Sequence, residues 1–93
     1  MKIEDIKLAV ESIAQKYSIK KAILFGSMAN GTSTSQSDVD LIIEFFGNVS
    51  LITISSLKIE LEEILKRDVA IIHGPITNKD FIDVNEEVEL YVA

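Results

Sequence analysis

The sequence predicts a small α/β (α+β) fold: a mixed sheet of about four strands with helices packed mainly on one face. Three observations carry that expectation. Apolar residues return at steps of three and four in two segments, one near the N-terminus and one in the middle of the chain. Short apolar runs lie between and after them, namely Ala22-Ile23-Leu24-Phe25, Leu41-Ile42-Ile43 and Val69-Ala70-Ile71-Ile72. Turn-forming pairs, Gly26-Ser27, Gly47-Asn48 and Gly74-Pro75, follow those runs.

Taken in order, Ile3, Ile6, Val10, Ile13 and Tyr17 make one apolar stripe and predict a helix of about four turns. Glu4 and Asp5 near its start and Lys16 near its end suit the helix dipole. Lys20 to Phe25 predicts the first strand, an apolar run of the kind expected when both faces are covered. Met28 to Gly31 reads as a short helical turn. The hydroxyl-rich stretch from Thr32 to Ser37 has no apolar residue to offset the cost of ordering, so it reads as a loop that is mobile without ligand. Asp38 to Phe46 predicts the second strand, with Asp38, Asp40, Ile42 and Glu44 on one face and Val39, Leu41 and Ile43 on the other.

Gly47-Asn48 ends that strand, and Ser50 is placed to cap the next helix. Its expected buried stripe is Leu51, Ile54, Leu57, Leu61, Ile64 and Leu65, with Lys58, Glu60, Glu62, Glu63 and Lys66 facing water. Asp68 to Ile72 predicts the third strand. His73, the only histidine, stands at its end and is expected near the same edge as the aspartates. Asn78 to Phe81 reads as a short helical turn. Val88 to Val92 alternates strictly and predicts a final strand, a helix from Glu86 to Tyr91 being the competing reading.

A chain of 93 residues is expected to form one domain over residues 1–93. There is no cysteine, which excludes disulfides and thiolate metal sites. The apolar runs are far too short to span a membrane, and the acidic N-terminus does not resemble a signal peptide, so a cytoplasmic protein is expected. The net charge of −6 argues against nucleic acid as the main partner. No lysine or arginine occurs between Ala22 and Leu57. An anion bound in that segment must be neutralised by metal ions, by backbone amides, or by basic residues such as Lys58, Lys66 and Arg67 that follow it.

The most informative pattern is Gly26-Ser27 followed, ten residues on, by Asp38-Val39-Asp40, with an apolar strand abutting each end. A Gly-Ser turn offers N–H groups and a hydroxyl to phosphate oxygens. Aspartates two apart on a strand share a face, where they can hold a divalent cation that bridges to the same phosphates. Glu44 lies about 13 Å beyond Asp40 on an extended strand, too far to ligate the same ion. A nucleotide-handling site is the natural reading.

Leu24-Phe25-Gly26-Ser27, Gly31 and Ser37-Asp38-Val39-Asp40-Leu41 resemble the signature of the minimal nucleotidyltransferase domains of the DNA polymerase β superfamily. The resemblance covers nearly the whole chain and implies a nucleotidyltransferase-like fold. It also implies metal-dependent transfer of a nucleoside monophosphate from a nucleoside triphosphate, ATP foremost, to an acceptor hydroxyl. Small members are paired with HEPN-domain toxins, which they neutralise as antitoxins by adenylylating a tyrosine. On this likeness Gly26, Ser27 and Ser37 bind the nucleotide, and Asp38 and Asp40 hold Mg²⁺, with two ions possible.

The likeness departs at two places. The family carries a third aspartate on the third strand after a Leu-Gly-Arg turn. Aligning Leu65-Lys66-Arg67-Asp68-Val69-Ala70 on that pattern puts Ala70 at the carboxylate position and Asp68 one same-face step, about 6–7 Å, further back. Many relatives also have an arginine where this chain has Met28-Ala29-Asn30. Two expectations follow. One is an enzyme that recruits Asp68 as third ligand; the other is a degenerate module that masks its partner by contact.

Overall fold

Helical and strand periodicities in the sequence resolve into one sheet with two helices, α1 (Ile3–Ile13), β1 (Ile19–Phe25), β2 (Val39–Phe45), α2 (Leu51–Leu65), β3 (Val69–His73) and β4 (Val88–Val92). The structure, a computed structural model, describes residues 2–26, 38–74 and 87–93. The predicted turn at 28–31, the loop at 32–37 and the turn at 78–81 lie outside the described residues.

The sheet order is β3-β2-β1-β4. β1 runs antiparallel to both β2 and β4, and β2 runs parallel to β3, so the sheet is mixed. A parallel pair needs a crossover, and α2 provides it. Both helices pack on one side of the sheet. Ile6, Ala9, Val10 and Ile13 of α1 and Leu57, Leu61 and Leu65 of α2 share a core with Ala22, Leu24, Val39, Leu41, Ile43, Val69 and Leu90. Among the described residues no helix is long and apolar enough to cross a membrane.

Val88–Val92 is a strand, as its alternation predicts, and the competing helix is not formed. Ser50 caps α2 by accepting a hydrogen bond from the Thr53 N–H at 3.1 Å. Other expectations need correction. α1 stops at Ile13, short of Tyr17, because the chain turns at Ala14 to enter β1; the Ile19 N–H donates to the Ala14 carbonyl at 2.8 Å. Lys16 and Tyr17 form a clasp to α2 instead of a last helical turn. The Tyr17 hydroxyl donates to Oε2 of Glu60 at 2.5 Å, and Lys16 Nζ reaches both Glu60 oxygens at 3.2 and 3.0 Å. The stripe on α2 is narrower than expected. Leu51, the first residue of the helix, is 82% exposed, and Ile64 is exposed beside the Leu61–Leu65 ridge. β1 buries only alternate residues fully, since the helices cover one face.

The end of α2 has a backbone feature absent from the sequence reading. Lys66 adopts the left-handed conformation, φ 58° and ψ 37°, with its N–H donating to the Glu62 carbonyl at 2.8 Å. Glycine is the usual occupant of such a cap because a Cβ is crowded there. Lys66→Gly is therefore expected to stabilise the fold by about 0.5–1 kcal/mol. Urea denaturation measures this; a destabilised variant would mean that the lysine charge at the helix C-terminus outweighs the strain.

Candidate active site

The site begins with strand pairing. Antiparallel register sets Phe25 of β1 opposite Asp40 of β2, so the residue after Phe25 turns directly beside that carboxylate. Gly26 makes the turn with φ 76°, a conformation that side chains resist. A Cβ on Gly26 would stand 2.5 Å from Oδ2 of Asp40 and 3.4 Å from its Cγ. Both the dihedral and the contact demand glycine here.

Asp38 lies just before β2, exposed, and Asp40 is the second residue of the strand, half-buried. The two carboxylates are near enough to feel each other. Burial first, and the charge of Asp38 second, raise the Asp40 carboxyl above its ordinary range. Among the described residues neither has an ion-pair partner. Ser27 and Ser37, the other expected nucleotide contacts, lie outside the described residues.

Parallel pairing of β2 with β3 sets Asp40 opposite Ala70 and Val39 opposite Val69. The neighbour of Asp40 on β3 is thus an exposed methyl group. Asp68 falls level with Asp38, two register steps from Asp40, and its carbonyl accepts from the Val39 N–H at 2.9 Å. Both strands begin one residue later than the sequence predicts, so Asp38 and Asp68 flank them at the same edge. Among the described residues no set of three or more His, Asp or Glu side chains is gathered so as to hold a metal ion.

His73 does not belong to this edge. β3 runs parallel to β2 and carries it to the level of Ile43, about 13 Å from the start of the strand, where its ring meets Phe45 edge-on at 5.5 Å. Lys58 is engaged with Glu62 at 2.9 Å, and Glu62 also accepts from the Val69 N–H at 3.0 Å, tying α2 to the start of β3. The i,i+4 spacing of Lys58 and Glu62 is the sequence signal for that pair. Glu44 is half-buried and paired with Lys21 in the strand register. A cavity of about 540 Å³ lies between α1 and β4, lined by residues including Lys7, Glu11 and Tyr91, and it does not include Gly26, Asp38 or Asp40.

The donor chemistry fits a hard divalent cation. Two carboxylates that repel each other, one of them half-buried, gain from an ion between them. Mg²⁺ accepts so few protein ligands because it keeps waters and takes phosphate oxygens for the remainder.

Comparison with known proteins identifies the family and the fold. Residues 9–90 match the family model for polymerase beta nucleotidyltransferases. A protein of Methanocaldococcus jannaschii named "Putative protein adenylyltransferase" is 38% identical over 72 residues, 77% of each chain. A crystal structure of a toxin–antitoxin with AMP-PNP superposes with a TM-score of 0.78 at 19% identity, covering 94% of this chain and 73% of that one. A tri-AMPylated HEPN toxin in complex with its MNT antitoxin, from Shewanella oneidensis, gives a TM-score of 0.71 at 15% identity, over 97% and 72% of the two chains. These two structures share the fold.

The Asp40 carboxyl sets a pH dependence. A carboxyl whose folded value is raised favours the folded state when protonated; that contribution is present below the unfolded value and lost as pH rises through the folded one. Without added metal, Asp40→Asn should therefore melt higher than wild type at pH 7, with the gap closing as pH falls below the ordinary carboxylate range. Thermal melts across pH test this, and a gap independent of pH would refute it.

Proposed function

Because the chain belongs to the polymerase β nucleotidyltransferase family, we propose that it transfers AMP from ATP to a hydroxyl of a partner protein, as the antitoxin of a HEPN-type toxin. The observation that carries this reading is the packing of Gly26 against Asp40 with Asp38 alongside. It sets a glycine turn against a pair of carboxylates suited to a divalent cation. The names of the relative and of the toxin–antitoxin structures support the choice of adenylyl group and partner.

In this reading Gly26, Ser27 and Ser37 hold phosphate oxygens through N–H and hydroxyl groups. Asp38 and Asp40 hold Mg²⁺, as one ion or two. When bound, such cations neutralise phosphate charge and lower the pKa of an attacking hydroxyl. The acceptor oxygen forms a bond to the α-phosphorus as the bond from that phosphorus to the β-bridging oxygen breaks. Pyrophosphate leaves, and the hydroxyl proton passes to solvent. The Gly26 turn positions the α-phosphate against Asp40, so that the in-line path is set by the chain's own backbone. A cytoplasmic setting suits an ATP-dependent protein with no cysteine.

Ala70 favours a second reading. With a methyl group beside Asp40, the chain binds metal–nucleotide but transfers slowly, acting by contact with its partner.

The double variant Asp38→Asn, Asp40→Asn should lose Mg-dependent ATP binding, read by isothermal titration; unchanged affinity would count against a metal-mediated site. Ala70→Asp should raise transfer of radiolabel from α-labelled ATP to the partner by about tenfold or more, since each 1.4 kcal/mol of transition-state stabilisation is worth that factor. Rapid wild-type transfer that neither Ala70→Asp nor Asp68→Ala alters would exclude both residues from the third ligand position.

A further inference from the structure

Lys66 is one of two described non-glycine residues with positive φ, and it stands at the corner that holds the carboxylates. Its left-handed turn reverses the chain out of α2 so that Asp68, two residues on, reaches Val39 at 2.9 Å, level with Asp38. Lys66 therefore sits within about 7 Å of Asp68 along the backbone, and Asp68 lies one strand spacing, roughly 4.8 Å, from Asp38. A glycine would make the same turn at lower cost. What the lysine adds is an exposed basic residue at the end of the sheet where Asp38 and Asp68 precede β2 and β3.

The distribution of charge gives that ammonium a task. The segment from Ala22 to Leu57 carries no basic residue. Lys16, Lys21 and Lys58 are engaged with Glu60, Glu89 and Glu62. Lys20, the second residue of β1, lies at the opposite end of that strand from Gly26, its carbonyl accepting from the Ala93 N–H. Lys66 makes no side-chain ion pair among the described residues. Strain retained at a position that a cheaper residue would fill points to a functional gain.

We propose that Lys66 is a substrate-binding residue whose ammonium contacts phosphate oxygens of the metal-bound nucleotide, the strain of its left-handed backbone being tolerated for that contact. This rests on the nucleotide reading of the Gly26–Asp38–Asp40 site. A mobile lysine acts on phosphate as a point charge and needs no fixed geometry.

The test is a pairing of stability with affinity. Wild type, Lys66→Gly and Lys66→Arg are each melted and then titrated calorimetrically with Mg-ATP. Lys66→Gly is expected to melt higher than wild type yet bind Mg-ATP about tenfold more weakly, the factor ordinarily lost with one charged hydrogen bond. Lys66→Arg, which keeps the charge, is expected to bind like wild type. Equal affinity of wild type and Lys66→Gly would overturn the proposal while leaving the nucleotide site intact. Wild type that does not bind Mg-ATP at all would overturn the nucleotide reading and this proposal with it. The raised melting temperature guards against a loss of affinity caused by misfolding.

Discussion

Phe25 and Asp40 face each other across β1 and β2, and the next residue leaves no room for a methyl group against the Asp40 carboxylate. Nearly everything about the site depends on that approach. The register brings the Gly26 turn beside an acidic strand, the corner at which the proposed phosphate and cation contacts would lie. A slip by one residue would turn Asp38 and Asp40 to the helix-covered face and expose Val39 and Leu41. Core and site therefore fix the same register: Val39, Leu41 and Ile43 are fully buried on one side while the carboxylates occupy the other.

The second pairing is parallel and is set by α2. Its ridge of Leu57, Leu61 and Leu65 lies in the core, and Glu62 on the adjacent flank ties back to the Val69 N–H. The left-handed Lys66 then delivers Asp68 to the level of Asp38 and Ala70 to the level of Asp40. The crossover thus decides which β3 side chain stands next to Asp40. That neighbour is a methyl group.

Acid acts on the two best-defined carboxylates in opposite senses. The Tyr17 hydroxyl first, and Lys16 next, hold Glu60 below its ordinary range, so its contribution is present above the unfolded value and is lost as pH falls through the lowered one. Asp40 behaves in reverse, because burial and Asp38 raise it. The clasp that joins α1 to α2 and the site at the sheet edge therefore respond differently to the same protons. A cation between Asp38 and Asp40 would relieve the repulsion that the bare pair carries.

Much of this was legible in the sequence because it is local. Period-two and period-3.6 patterns identified four strands and two helices, the Ser50 cap followed from its place before an apolar run, and the Gly26-Ser27 to Asp38-Asp40 spacing located the acidic strand beside a turn. The alignment that set Ala70 at a carboxylate position came from the family resemblance. What local pattern could not reach was set by contacts between distant segments. Tyr17 left the helical stripe because Glu60, 43 residues away, offered its hydroxyl a partner. Leu51 kept the helical spacing but stands exposed at the first position of α2. His73 moved from the aspartate edge because a parallel neighbour carries its strand end away from where β2 begins. The left-handed Lys66 and the contact of Gly26 with Asp40 are likewise products of packing. Sequence determined which elements form and which residues are candidates for the site; tertiary structure decided which of those residues stand together, because strand register and helix placement answer to the whole core at once.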